Sequence, residues 1–104
     1  FFGCSSLNDV IIGNSVETIG IGAFSGCSSL KSLTIGNSVK SIGYYAFAGC
    51  SSLTHLTIPD SVKTIGKYAF YPCSKLTEAS IPSHLESIVK ENTVFPEKTK
   101  IIMR

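Results

Sequence analysis

Two consecutive stretches decide the fold: residues 27–49 are CSSLKSLTIGNSVKSIGYYAFAG, and residues 50–72 are CSSLTHLTIPDSVKTIGKYAFYP. These two stretches agree at 15 of 23 positions, and residues 4–26 agree with residues 27–49 at 14 of 23. A constant period of this length is typical of a solenoid, in which each repeat forms one coil stacked on the next. The four cysteines mark the period, since they recur every 23 residues at Cys4, Cys27, Cys50 and Cys73.

The apolar residues of one coil predict two short strands and a turn. Leu33 and Ile35 alternate with polar neighbours, as in a strand with one buried face. Residues 36–38 favour a corner, and a second short strand follows at residues 39–42. Residues 44–49 should form a helical or 3₁₀ turn that leads back to the next cysteine. We therefore predict two parallel ladders, one at residues 9–12, 32–35, 55–58 and 78–81, the other at 16–19, 39–42, 62–65 and 85–88.

Stacking buries the apolar face of each coil against its copies. Coils at the strand spacing of about 4.8 Å align each apolar position into a column. Each buried Leu or Phe contributes about 1.5–3 kcal/mol, so these columns supply the main stabilising energy. The two largest predicted columns are the aromatic one, Phe24, Phe47 and Phe70, and the aliphatic one, Leu7, Leu30, Leu53 and Leu76.

The repeat boundaries divide a single domain. A two-residue shift in the last coil would return Phe95 to the aromatic column and Ile101 to the leucine column, with residues 101–103 as the last strand. Lys98, Lys100 and Arg104 around that strand would discourage further edge pairing. The divisions are a partial coil at 1–3, coils at 4–26, 27–49, 50–72 and 73–88, and a degenerate cap at 89–104.

The chain begins within a coil, which suggests a fragment of a longer protein. The apolar side chains of the first coil would then lack a covering coil, and an uncovered solenoid end is a template for association. We expect residues 1–12 to be partly disordered or covered by a neighbouring molecule, with end-to-end self-association. The alternative is that Phe1 and Phe2 fold over this end.

Composition narrows the function classes. Hydrophobic residues make up 43% of the chain and charged residues 15%, which indicates a folded domain. The net charge of +2, scattered along the chain, does not predict nucleic-acid binding. No apolar run approaches the roughly 18 residues that a membrane span requires. We expect no membrane insertion by this segment.

The residues that could carry chemistry favour structural roles. Metal sites need clustered ligands, and cysteines 23 residues apart offer none. Stacked thiols would lie about 4.8 Å apart, farther than the Cβ separation of about 3.8 Å in a disulfide. We therefore predict four buried, reduced thiols. Neither His55 nor His84 has a Cys or Asp partner at a useful spacing. We predict no enzyme activity, no metal site and no cofactor.

The sequence motif SVKSIGYYAFAGCSSL, together with the strand pattern Leu30-Lys31-Ser32-Leu33-Thr34-Ile35, resembles the BspA-type leucine-rich repeats. The resemblance covers residues 1 to about 88. It implies a mostly β repeat solenoid of the α/β type, a right-handed leucine-rich-repeat stack of about four coils and a cap. It also implies an extracellular or cell-surface protein that binds host matrix proteins or microbial surface proteins in adhesion.

The outward side chains of the stronger ladder are the candidate partner-binding surface, because solenoids use their repeated sheet as an extended binding face. Thr and Ser are also good solvated strand residues, so this composition alone does not require a partner. The alternative function is a structural spacer that carries another domain and binds nothing itself. The candidate residues are Asp9, Ile11, Ser32, Thr34, His55, Thr57, Glu78 and Ser80.

Overall fold

Short parallel strands, one or two in each coil, form the regular structure of the computed structural model, which describes residues 1–104. The molecule is a flat stack that measures 33 × 32 × 19 Å. The longer strands are β1 (Asp9–Ile12), β3 (Ser32–Ile35), β5 (His55–Thr57), β7 (Glu78–Ile81) and β8 (Lys100–Met103); the two-residue strands are β2 (Thr18–Ile19), β4 (Ser41–Ile42) and β6 (Thr64–Ile65). A 3₁₀ turn at Ser83–Leu85 leads into the helix α1 (Glu86–Glu91).

The register follows the 23-residue repeat. Asp9 pairs with Ser32, Ser41 with Thr64, and His55 with Glu78, all in parallel pairs. Strands β2, β4 and β6 form one continuous sheet, whereas the longer strands form two sheets, β1-β3 and β5-β7-β8. The four strands of the predicted stronger ladder are confirmed, with β5 ending one residue early, but the ladder is not continuous, because β3 and β5 are not hydrogen-bonded to each other. The second ladder is confirmed at three coils, but its strands are shorter than predicted.

An aromatic column runs through the core from end to end. Phe47 is fully buried, and its ring centroid lies 5.1 Å from that of Phe24 and 4.9 Å from that of Phe70, with interplanar angles of 2° and 4°. Centroids this far apart in parallel rings mean offset stacking, the favourable arrangement. Phe1 and Phe95 extend the column at 5.3 and 5.5 Å. The prediction that a two-residue shift returns Phe95 to this column is confirmed.

Glycines allow the coils to approach closely beside the second ladder. A Cβ built on Gly66 would lie 2.4 Å from the backbone nitrogen of Tyr44 and 2.7 Å from the carbonyl carbon of Gly43. A Cβ on Gly43 would lie 2.7 Å from the nitrogen of Ile21. Backbone atoms cannot move aside as side chains can, so this column requires glycine.

The predicted strand at residues 85–88 is wrong, because these residues belong to the 3₁₀ turn and to α1. One repeat after Gly66 stands Val89, whose side chain would collide with the preceding coil in a stacked strand. In the helix Val89 turns inward and is buried. Asn92 then donates from Nδ2 to the carbonyl oxygen of Ile65 at 2.9 Å and satisfies the edge of β6.

The predicted placement of Ile101 in the leucine column is also wrong. Thr99 follows Leu76 in that column, and its hydroxyl donates to the Leu76 carbonyl oxygen at 2.8 Å, so its burial leaves no unpaired group. The register then shortens by one residue, since Lys100 pairs with Glu78, 22 residues earlier. Ile101 therefore pairs with Ala79 in the neighbouring column. The last strand itself is confirmed.

The segment that returns each coil to the next cysteine is not helical. Residues 44–49 form a run of hydrogen-bonded turns, where a helical or 3₁₀ turn was expected. Tyr45 interrupts the right-handed conformation with a φ of 59°, and Tyr68 repeats this angle one coil later. A left-handed residue inside the segment prevents a helix from propagating through it.

Candidate functional site

The eight candidate residues form two exposed columns on the face of the longer strands. In the first two coils Ile11 pairs with Thr34, and in the next two Thr57 pairs with Ser80. All eight are exposed or half-buried, because successive side chains of a strand point to opposite faces. The full columns are Asp9, Ser32, His55 and Glu78, and Ile11, Thr34, Thr57 and Ser80.

A cleft interrupts this surface between β3 and β5, which are not hydrogen-bonded to each other. Its volume is about 540 Å³, within the usual range for ligand pockets. Strand alternation directs the backbone groups of Leu33 and Ile35 toward β5, and those of His55 and Thr57 toward β3. The cleft therefore presents strand N–H and C=O groups that the sheet does not use.

Arg104 closes one end of the cleft and was not among the predicted site residues. Its Nη1 donates to Ser80 Oγ at 2.8 Å, and its Nη2 donates to Asp60 Oδ1 at 3.0 Å and to the carbonyl oxygen of Ile58. The guanidinium thus ties the corner after β5 to β7. The sequence places Arg104 directly after the last strand. Its contacts with Ser80 and Asp60 depend on the register of β8, which is one residue shorter than the 23-residue repeat. Lys100 and Ile102, paired with Glu78 and Ser80, continue the two columns.

The histidines have local partners. His55 is exposed, and its Nδ1 lies 3.0 Å from the hydroxyl oxygen of Thr54. His84 Nε2 donates to the carbonyl oxygen of Val62 at 2.8 Å and so joins two coils. No group of three or more His, Cys, Asp and Glu side chains lies close enough to hold a metal ion. The helix is too short to cross a bilayer.

The cysteine column lies in the core, away from the sheet surface. Cys27, Cys50 and Cys73 are fully buried, whereas Cys4 is half-buried, so the prediction of four buried thiols is wrong for the first. The Cys73 thiol donates to the carbonyl oxygen of Phe47 at 3.2 Å. Burial, reinforced by the neighbouring thiol, raises the pKa of Cys50 and of Cys73 to about 12. Such thiols stay protonated and unreactive at neutral pH.

Comparison with known proteins places this geometry in a family. The family described as "BspA type Leucine rich repeat region" matches residues 1–102 in six copies. A leucine-rich-repeat protein of T. pallidum is similar at 30% identity and a TM-score of 0.76, over 99% of this chain and 42% of that one. A leucine-rich cell-surface protein of Faecalibacterium prausnitzii is similar at 31% identity and a TM-score of 0.77, over 93% and 26%.

A shorter leucine-rich-repeat protein, from Bacteroides capillosus, is similar at 29% identity and a TM-score of 0.68, over 77% of this chain and 57% of that one. This chain therefore spans less than two thirds of the length of these solved relatives. No curated protein matches. With its 23-residue coils, stacked phenylalanines and parallel ladders, the chain belongs to the family of BspA-type leucine-rich repeats.

Proposed function

We propose that this chain is a protein-binding module of a cell-surface or secreted protein, and that it binds through the two columns of its longer strands. The observation that carries the proposal is the register of eight outward side chains on one face. A broad face of rigid strands, with side chains at fixed intervals, can contact an extended protein surface with little loss of conformational entropy.

The chemistry of this face suits a protein partner. Short hydroxyl side chains, Ser32, Thr34, Thr57 and Ser80, occupy its centre, and Ile11 adds an apolar contact that is 74% exposed. Charged side chains lie toward the two ends of the columns, with Asp9 on the first strand and the paired Glu78 and Lys100 on the last two. Polar rims around a weakly polar centre are usual in protein interfaces.

The similarity to a cell-surface protein of Faecalibacterium prausnitzii supports placement outside the cell. The partner class we propose is a host matrix protein or a microbial surface protein, bound in adhesion. The proposal assigns a binding role and no catalytic reaction. An antibody raised against this chain should label intact source cells; labelling only after the cells are permeabilised would contradict the extracellular placement.

A pair of arginine variants tests the binding face. Thr57→Arg places a large cation on the proposed face, and Thr64→Arg places the same side chain on the short-strand sheet of the same coil. Both threonines are exposed. Binding to immobilised matrix proteins such as collagen, laminin and fibronectin should fall about tenfold or more for Thr57→Arg and stay unchanged for Thr64→Arg. Parental binding by both variants would show that the partner binds another surface, and no binding of any matrix protein by the parent chain would favour the structural spacer.

We also propose that the 104-residue chain associates end to end through its first coil. A hollow of about 510 Å³ lies there, bordered mainly by apolar side chains. Phe1 stacks on Phe24 and borders the hollow, and Phe1 and Phe2 are both largely exposed. An apolar hollow of this kind favours association because contact removes its lining from water.

A further inference from the structure

Three of the four tyrosines form an exposed cluster on the turns that follow the short strands. The rings of Tyr45 and Tyr68 lie 5.5 Å apart, tilted by 34°, and those of Tyr68 and Tyr71 lie 5.7 Å apart, tilted by 45°. Tyr45 is 47% exposed and Tyr71 is 39% exposed. The cluster shares no residue with the sheet columns.

The backbone does not favour tyrosine at two of these positions. Gly22, Tyr45, Tyr68 and Thr93 occupy the same position in successive coils, and all four have a left-handed φ, between 48° and 64°. Glycine adopts this conformation without steric conflict, whereas a residue with a bulky side chain is strained in it. The first coil meets the requirement with glycine, so the fold does not require Tyr45 or Tyr68. An observed strain of this kind points to a role for the side chain.

The cluster lines a depression of about 450 Å³ that carries no formal charge. Its walls are the three tyrosines, Ala48, Pro72 and Thr93. None of the three phenol hydroxyls forms a hydrogen bond within the protein. The ammonium of Lys67 lies at the margin, 5.8 Å from the ring centroid of Tyr68. The depression thus offers aromatic faces, free hydroxyl donors and one cation at its edge.

We propose that this tyrosine cluster (Tyr45, Tyr68 and Tyr71) binds a proline-rich protein segment in the polyproline II conformation. Such a segment has no internal hydrogen bonds, so its carbonyls can accept from phenol hydroxyls while its proline rings pack on aromatic faces. One turn of such a segment rises about 9.3 Å, which is less than the two successive ring separations of 5.5 and 5.7 Å taken together. A single turn can therefore contact all three rings.

Charge narrows the choice of segment. Lys67 is the charged group against the cluster, so acidic residues beside the prolines would be attracted and basic residues repelled. A saccharide would also stack on tyrosine, but the lining contains no carboxylate or amide side chain to orient its many hydroxyls. The proposal therefore names a neutral or acidic proline-rich segment. This surface is separate from the sheet face, so either proposal can fail without the other.

The test is calorimetric titration of the chain with an acetylated octaproline peptide that carries one terminal aspartate. Tyr45→Gly and Tyr68→Gly remove a ring at a position where glycine is conformationally preferred. Tyr44→Ser is the matched control, because Tyr44 is exposed but does not line the depression. We expect each glycine variant to bind at least tenfold more weakly with a melting temperature within a few degrees of the parent, and the control to bind as the parent does.

Several results would overturn the proposal. These are no binding of the octaproline at millimolar concentration, equal binding of a glycine–serine peptide of the same length, tighter binding of maltohexaose, or parental binding by the glycine variants. If a glycine variant fails to fold, the variant Lys67→Glu provides the test of the proposed binding surface. It should reverse the preference from an aspartate-ended to a lysine-ended octaproline, and an unchanged preference would contradict the placement.

Discussion

The thiol of Cys50 donates to the carbonyl oxygen of Phe24, 26 residues earlier, across 3.3 Å. The same bond joins Cys27 to Phe1 at 3.2 Å and Cys73 to Phe47 at 3.2 Å. Each of these bonds therefore spans one 23-residue repeat and three further residues, beside the aromatic column. The carbonyl oxygen of Phe24 also accepts from the backbone N–H of Cys27 at 3.2 Å, so the thiol is its second donor.

This relationship predicts graded thiol reactivity. In the native chain, one thiol should react with an aromatic disulfide reagent, that of the half-buried Cys4, and Cys27, Cys50 and Cys73 should react only on unfolding. The reason is that burial excludes the reagent and keeps the thiols protonated. Mass spectrometry of the labelled peptides identifies the modified residue. Rapid labelling of Cys50 in the folded protein would contradict the buried column.

The same burial predicts a loss of stability at alkaline pH. The pKa of Cys50 and of Cys73 is about 12 in the fold, against a reference value of 9.0. The unfolded chain therefore loses these protons first, and the stabilisation is complete below pH 9 and lost as the pH rises from 9 towards 12. Urea unfolding across this range should show it. The double variant Cys50→Ala, Cys73→Ala should show a shallower decline over the same pH range.

The aromatic column should carry a large share of the stability. Phe47 is fully buried between two stacked rings, so Phe47→Ala should lower the free energy of unfolding by about 3–5 kcal/mol. Phe2→Ala is the control, because Phe2 is 78% exposed, and it should change stability by less than about 0.5 kcal/mol. Equal effects in urea unfolding would show that the stack is not the main source of stability.

Two glycine substitutions distinguish a glycine that lets two coils approach closely from a glycine that faces open space. Gly66→Ala places a methyl group 2.4 Å from a backbone nitrogen, so we expect a loss of about 1–3 kcal/mol or more. Gly13→Ala meets no atom within 4 Å and should leave the stability unchanged or slightly raised. Thermal unfolding of the two variants side by side gives the comparison. A stable Gly66→Ala protein would mean that the short-strand sheet can open without loss.

The repeat period sufficed to predict the stacked coils, because a strand register of 23 residues follows directly from the spacing of identical apolar residues. The structure differs from the predicted coils at positions where a residue breaks the repeat pattern. Val89 stands where the repeat has the closely packed Gly66, and here a 3₁₀ turn and a helix replace the predicted strand. Thr99 takes the leucine position because its hydroxyl finds a carbonyl partner there, which displaces Ile101.

The candidate site was only partly predictable for a similar reason. Strand alternation places Thr34 and Thr57 outward, and this needs no more than the sequence. The cleft between their strands and the reach of Arg104 to Asp60 depend on tertiary positions of residues 44 apart in the chain. The left-handed φ of Tyr45 could not be predicted from the sequence either, because residues with bulky side chains rarely adopt it.

The hollow at the first coil predicts self-association of the 104-residue chain. Ile11 borders the hollow and is 74% exposed, so a second copy can bury it at the same contact. Light scattering over a concentration series should show a mass that rises above the monomer mass of 11.1 kDa. Ile11→Lys should restore the monomer, because contact would force a cation out of water. Ile21→Lys is the matched control, since Ile21 is as exposed but lies outside the hollow, and it should associate as the parent does. A strictly monomeric parent, with slowly exchanging amides in residues 9–12, would show that this end needs no cover.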